Sequence, residues 1–144
     1  MKNKLTEFPD AVLQLTNLKT LNLSLNPITC IPEAIGQLSN LTHLTLLNTQ
    51  ITQLPEAIGQ LSNLTDLKLS HNHITSISEV IGQLSNLEVL NLHNNQITLI
   101  PEASGNSRIW KCLTSVTIRL PLSQMRSGNC PISYRLTFIT IRLS

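Results

Sequence analysis

Aromatic side chains make up only 3% of this 144-residue chain, so whatever core it builds must be aliphatic. Charged residues reach 12%, about half the share of an ordinary globular domain. No apolar run approaches the roughly 18 residues that a membrane-spanning helix needs. The opening stretch "MKNKLTEFPD" lacks an apolar h-region, which argues against a secretion signal. Cysteine is scarce and odd in number: Cys30, Cys112 and Cys130 share neither a CxxC motif nor a metal-ligand spacing. With no secretion signal they read as free thiols in a reducing compartment, which places the chain in the cytoplasm. The five glycines, Gly36, Gly59, Gly82, Gly105 and Gly128, recur at one wide, constant spacing, so no two lie close enough to form a phosphate-cradling loop. A nucleotide-dependent activity is therefore not expected within this chain, and no cofactor is implied. The length leaves room for one domain.

What is present is a period. Leu18–Asn40, Leu41–Asn63 and Leu64–Asn86 are three full 23-residue units, and Leu87 opens a fourth. Each begins as LxxLxLxxNxI ("LKTLNLSLNPI", "LTHLTLLNTQI" with Thr49 in the Asn column, "LTDLKLSHNHI", "LEVLNLHNNQI") and continues toward "IPEAIGQLSN". The first residues fit the same register from mid-unit: Asn3 takes the Asn column, Leu5 the Ile column, and "FPDAVLQLTN" follows. Units of this kind cannot bury their apolar side chains alone and gain stability by stacking.

This is the leucine-rich repeat pattern over Met1 to about Ala103. Its "LPEAIGQLSNL" half resembles the Ras-group-related intracellular class, which also supplies the repeat arms of some bacterial Roco-type GTPases. The resemblance implies an α/β solenoid: a short curved horseshoe segment, with a parallel sheet on the concave face and loops and short helical turns on the convex side. It implies a non-catalytic protein–protein interaction module belonging to a larger intracellular protein. The alternatives are a sensor or regulatory arm of a Roco-type GTPase or kinase encoded elsewhere, or a decayed gene product without function.

Alternation in LxLx sends Leu21 and Leu23 inward and Asn22 and Ser24 outward. On that basis the candidate binding face comprises Thr20, Asn22 and Ser24; His43, Thr45 and Leu47; Asp66, Lys68 and Ser70; and Val89, Asn91 and His93. Lys19, Thr42, Thr65 and Glu88 border it. A structural ladder is expected at Asn3, Asn26, Thr49, Asn72 and Asn95, because an amide both donates and accepts where the chain leaves the strand. Thr49 offers a shorter side chain with one donor, so its rung should be weaker. Pro32, Pro55 and Pro101 suit the first position of a helical turn, the following Glu its positive end, and each Gly its termination. Ser78 in place of proline should loosen that corner. His71, His73 and His93 are expected as exposed variable residues rather than metal ligands. Ser70, His71 and Asp66 fail as a catalytic set because their side chains split between faces. The acidic column Asp10, Glu33, Glu56, Glu79 and Glu102 is read as helix-end charge rather than as a docking site for a basic partner.

From Gly105 onward the motif vanishes although the period persists: "TIRL" at Thr117–Leu120 returns at Thr140–Leu143. Net charge also reverses, from four Lys and eight Asp/Glu through Glu102 to six Lys/Arg and no acid afterwards. Regrouping codons by one base explains both. "NSRIWKC" preceded by the last base of Gly105 regroups to QLSNLEV, the string at Gln83–Val89, and "SGNCPIS" regroups to GQLSNL. Loss of one base between the codons for Ala103 and Ser104 produces the join. The expected organisation is thus a repeat array over 1–104 (a partial first unit, three full units and a partial fourth) and a non-repeat, frameshifted tail over 105–144 that can add an irregular strand. The tail's arginines and its Trp110, Tyr134 and Phe138 then need no nucleic-acid role. The expected partner is a protein, its identity and the oligomeric state open, with no nucleic acid and no membrane.

Overall fold

The computed structural model describes residues 5–98 and the backbone of 113–118 and 139–141. Asn3, Pro101, Glu102, Gly105 and most of the tail therefore lie outside the described residues. Among the described residues six strands, β1 (Thr20–Asn22), β2 (His43–Thr45), β3 (Asp66–Lys68), β4 (Val89–Ile97), β5 (Leu113–Ile118) and β6 (Ile139–Ile141), form one sheet in chain order. Every pairing is parallel. Register follows the sequence period, with Leu21 opposite Leu44, Leu44 opposite Leu67 and Leu67 opposite Leu90. The tail pairs as well. Leu113 stands opposite Leu90, the register shifts twice along β4, and Val116 then faces Ile139 at the same 23-residue offset.

Between strands the chain returns through one turn of helix. The first return is α-helical (Asp10–Leu13), and the next three are 3-10 helices at Glu33–Gln37, Glu56–Gln60 and Glu79–Gln83. Strand and return sandwich an aliphatic core. Leu44, Leu46, Leu67, Leu69, Leu90 and Leu92 from the sheet, and Ile35, Leu38, Ile58 and Leu61 from the returns, have no solvent exposure. Each such side chain contributes about 1.5–3 kcal/mol by leaving water.

Two details of the return differ from expectation. Pro32 and Pro55 occupy the N-cap position, with extended backbone, rather than the first helical residue. Gly36 and Gly59 lie inside their helices instead of ending them. Their smallness serves packing: a Cβ on Gly36 would collide with Gln60 Oε1, and one on Gly59 would sit 2.6 Å from Gln83 Oε1. The glutamine of each following unit lies across the glycine before it. The corner at Ser78 keeps the geometry of the proline corners (φ −76°, ψ 152°). Its hydroxyl also donates to Glu56 Oε1 at 3.0 Å, so the corner is tied rather than loosened.

The asparagine ladder does what the backbone requires. Asn72 Nδ2 donates to the carbonyls of Leu69 (3.0 Å) in its own unit and Leu46 (2.7 Å) in the unit before, while its Oδ1 accepts Ile51 N–H (3.1 Å). Asn95 repeats this with Leu92, Leu69 and Ile74 N–H. Asn26 accepts Leu5 N–H at 3.2 Å, which puts Leu5 in the Ile column as its register implies. Thr49 breaks the series. Its hydroxyl reaches Leu46 O at only 3.4 Å and donates to Asn72 Oδ1. Ile28 N–H, which an asparagine at 49 would hold, turns back onto Asn26 O at 2.8 Å. Thr49 therefore makes fewer bonds to the unit before it than Asn72 or Asn95 does, and this rung falls between the first and second full units.

Leu67→Ala is expected to lower stability by about 2–5 kcal/mol in denaturant unfolding. A surface-like change below about 0.5 kcal/mol would contradict the inward register. Thr49→Asn is expected to gain about 1 kcal/mol by restoring the rung, whereas a loss of stability would mean that the buried pocket admits only threonine.

Candidate functional site

The sheet's outer-pointing side chains form a grid whose columns are strands and whose rows recur with the 23-residue period. Strand alternation sets the rows: buried leucines at 21, 44, 67 and 90 lie between Thr20 and Asn22, His43 and Thr45, Asp66 and Lys68, and Val89 and Asn91. Exposure falls toward the middle of the grid. Thr20, Asn22, His43 and His93 are exposed, whereas Ser24, Thr45, Leu47, Asp66, Lys68, Val89 and Asn91 are half-buried. Ser70, expected on the exposed face, is only 7% exposed. It lies two residues beyond β3 with a short side chain, so it offers a partner little surface.

The electrostatic centre of the grid is Asp66. Its Oδ2 lies 3.4 Å from His43 Nε2 and accepts the Thr65 hydroxyl at 3.0 Å, and its Oδ1 lies 3.6 Å from Lys68 Nζ. His43 Nδ1 in turn shares a 2.8 Å hydrogen bond with the Thr42 hydroxyl. These contacts join two strands across one row and hold three side chains in place. At this exposure the Asp66–Lys68 ion pair is worth no more than about 1 kcal/mol. Asn22 and Asn91 fold back locally, accepting Ser24 N–H (3.0 Å) and His93 N–H (3.1 Å). Ser24 Oγ accepts Leu47 N–H at 3.0 Å. The face is therefore pre-organised, with much of its polar capacity used between neighbouring units.

Other candidate chemistry is not brought together. Asp66 meets His43 and Lys68 rather than His71, so no Ser70–His71–Asp66 relay forms. His71 and His93 stack edge to face with centroids 5.9 Å apart, while amides of Asn94 and Gln96 bond His71 and His73. Among the described residues no group of three or more His, Cys, Asp or Glu converges as a metal site, and no helix is long and apolar enough to cross a membrane. Cys30 is an exposed free thiol. The acidic column has an internal use: Glu33 Oε2 accepts Ala57 N–H at 2.9 Å, capping the next unit's helix.

Two columns went unread in the sequence. Asn40, Asn63 and Asn86 donate their amides to the carbonyls of Thr16, Ser39 and Ser62 at 2.8–3.0 Å, forming a second ladder on the return side. The signal was the asparagine ending every "QLSN". The other column is Leu25, Asn48, His71 and Asn94, all in left-handed backbone (φ 63°, 54°, 59° and 52°). Three of the four are Asn or His, the residue types that tolerate this conformation.

Known proteins agree with this architecture. Family models described as "Leucine rich repeat" and "Leucine Rich repeats (2 copies)" match residues 1–51 and 62–105. No curated protein matches the chain. Among solved structures, a leucine-rich repeat protein of Leptospira interrogans is 34% identical with a TM-score of 0.72, covering 83% of this chain and 30% of its own. The plant peptide hormone receptor RGFR1, in complex with RGF2, is 30% identical with a TM-score of 0.68, covering 95% and 23%. The ectodomain of the Arabidopsis thaliana membrane receptor kinase GASSHO1/SCHENGEN3, in complex with Casparian strip integrity factor 2, is 28% identical with a TM-score of 0.66, covering 80% and 14%. The chain thus spans less than a third of each of these structures. With matching motifs, a parallel sheet at 23-residue register and an asparagine ladder, it belongs to the leucine-rich repeat proteins.

Proposed function

We propose that the chain is a non-catalytic protein-interaction module, a segment of a larger intracellular protein that binds its partner along the outer-pointing side chains of the sheet. Leucine-rich repeats typically serve as such scaffolds. The observation that carries the proposal is the fixed polar grid centred on Asp66, which presents side chains from four consecutive strands on one face. The receptor neighbours, structures of complexes with RGF2 and with Casparian strip integrity factor 2, lend the same use of the fold. Cytoplasmic placement is supported by Cys30, an exposed free thiol among the described residues. The ectodomain neighbour shows that the same fold also works outside the membrane.

A second reading, that the segment regulates a Roco-type GTPase or kinase encoded downstream, is favoured by the "LPEAIGQLSNL" motif. It shares a test with the frameshift. Codon regrouping and the retained 23-residue register of β5 on β6 both support a tail read out of frame. Sequencing the gene across codons 103–104 and past codon 144 decides the matter: a restored base that opens more repeats, followed by a P-loop, establishes the regulatory arm. An intact downstream stop leaves an isolated module.

The interaction reading is tested by comparing proteins retained by the immobilised chain with those retained by two variants, Asp66→Lys on the sheet face and Glu79→Lys on the return side. A specific partner is expected to lose at least about tenfold in affinity (roughly 1.4 kcal/mol) with the first variant and to be unchanged with the second. Equal retention by all three proteins would contradict a sheet-face interface.

A further inference from the structure

The repeat supplies its own control, because each surface position is sampled by four units. Three leucines are well exposed among the described residues: Leu5 (42%), Leu15 (53%) and Leu25 (64%). The first two are core-column residues. Their counterparts one unit on, Ile28 and Leu38, are fully buried, so Leu5 and Leu15 show only where the stack begins. Leu25 is different. Its counterparts are Asn48, His71 and Asn94, all polar and none of them buried, so no core is waiting for it. It also holds φ at 63°, a conformation that crowds Cβ against the following carbonyl and that asparagine tolerates. The fold therefore carries an exposed, strained leucine where three other units use a polar residue.

A second departure lies beside it. Leu47 is half-buried in a row otherwise made of Ser24, Ser70 and His93. Leu25 N–H donates to Leu47 O at 2.9 Å, so the two backbones run side by side just beyond the ends of β1 and β2. Two leucines, neighbours through that backbone bond, thus stand at positions that the other units fill with polar residues, one of them at a backbone cost. Diagonally across the next strand is Lys68, which pairs with Thr45 two residues before Leu47. Its side chain is 41% exposed and its ammonium lies 3.6 Å from Asp66 Oδ1, leaving N–H capacity for another acceptor.

We infer that Leu25 and Leu47 form an apolar anchor point for an extended peptide segment that carries an apolar side chain and, two residues away, a carboxylate directed to Lys68. Spacing selects this occupant. From Leu47 to Lys68 is one strand across and two residues along, about 8 Å at 4.8 Å between strands and 3.3 Å per residue. Side chains at i and i+2 of an extended peptide share a face and are about 7 Å apart. Asp66 accepts the Thr65 hydroxyl and has His43 and Lys68 beside it, which offsets part of its repulsion of such a carboxylate. The inference rests on the interaction-module reading and assigns it a ligand chemistry.

The test is selection of a random dodecapeptide phage library on the full chain, followed by titration of the enriched synthetic peptides. Variants carry what other units place at the same positions, Leu25→Asn and Leu47→Ser, together with Lys68→Gln and, as a control elsewhere on the face, Asn91→Ala. The expected peptides pair Leu, Ile, Met or Phe with Asp or Glu two positions away, and they bind each leucine variant at least about tenfold more weakly. Leu25→Asn should at the same time raise the thermal midpoint by about 3 °C, because it relieves strain. A purely structural leucine would not show that opposition of stability and binding. Peptides that depend on Asn91 or Lys68 but not on the leucines would overturn the anchor and leave the module standing. Selection yielding no peptide sensitive to any of these residues would overturn both. A fall in the midpoint of Leu25→Asn would identify the leucine as structural and also overturn the anchor.

Discussion

Everything in this molecule depends on one constraint: a 23-residue unit buries its leucines only against copies of itself. Strand pairing, core packing and side-chain capping must all therefore repeat at one translation. The register of β1 on β2, β2 on β3 and β3 on β4 is that translation. Aliphatic residues suit the task because a narrow layer between sheet and return helix leaves little room for aromatic rings, and Phe8 is the only aromatic in the described core.

The same constraint dictates where polar groups sit. Carbonyls at the strand exit and at the return turn have no sheet partner within their own unit; those at the exit are buried, and an unsatisfied buried carbonyl costs about 1–3 kcal/mol, whereas those at the return are exposed. Asparagine answers both, through Asn72 and Asn95 at the exit and Asn40, Asn63 and Asn86 at the return. Charge follows suit: Glu33 caps a helix in the unit after its own. Stability and polar satisfaction are nearest-neighbour properties, so one altered rung is felt at one interface.

Legibility in the sequence tracked this logic. The leucine columns, the exit ladder and the weak rung at Thr49 could be read because each is a residue type recurring at one spacing with an evident physical need. Contacts between different columns could not. The overlay of Gln60 on Gly36 and the capping of Ala57 by Glu33 depend on lateral offsets between units. Alternation alone put Ser70 outside, yet beyond the end of β3 its short side chain is buried. The left-handed column had a signal in Asn48, His71 and Asn94, and Leu25 obscured it.

The central claim, that side-chain amides passing from unit to unit hold the exits of the strands, is tested most directly by native-state amide hydrogen exchange. Ile51 and Ile74 N–H are held by Asn72 and Asn95, whereas Ile28 N–H is held only by the carbonyl two residues before it. The account predicts markedly faster exchange at Ile28 than at Ile51 or Ile74. Equal protection at all three would show that packing alone secures the turn and that the ladder is incidental.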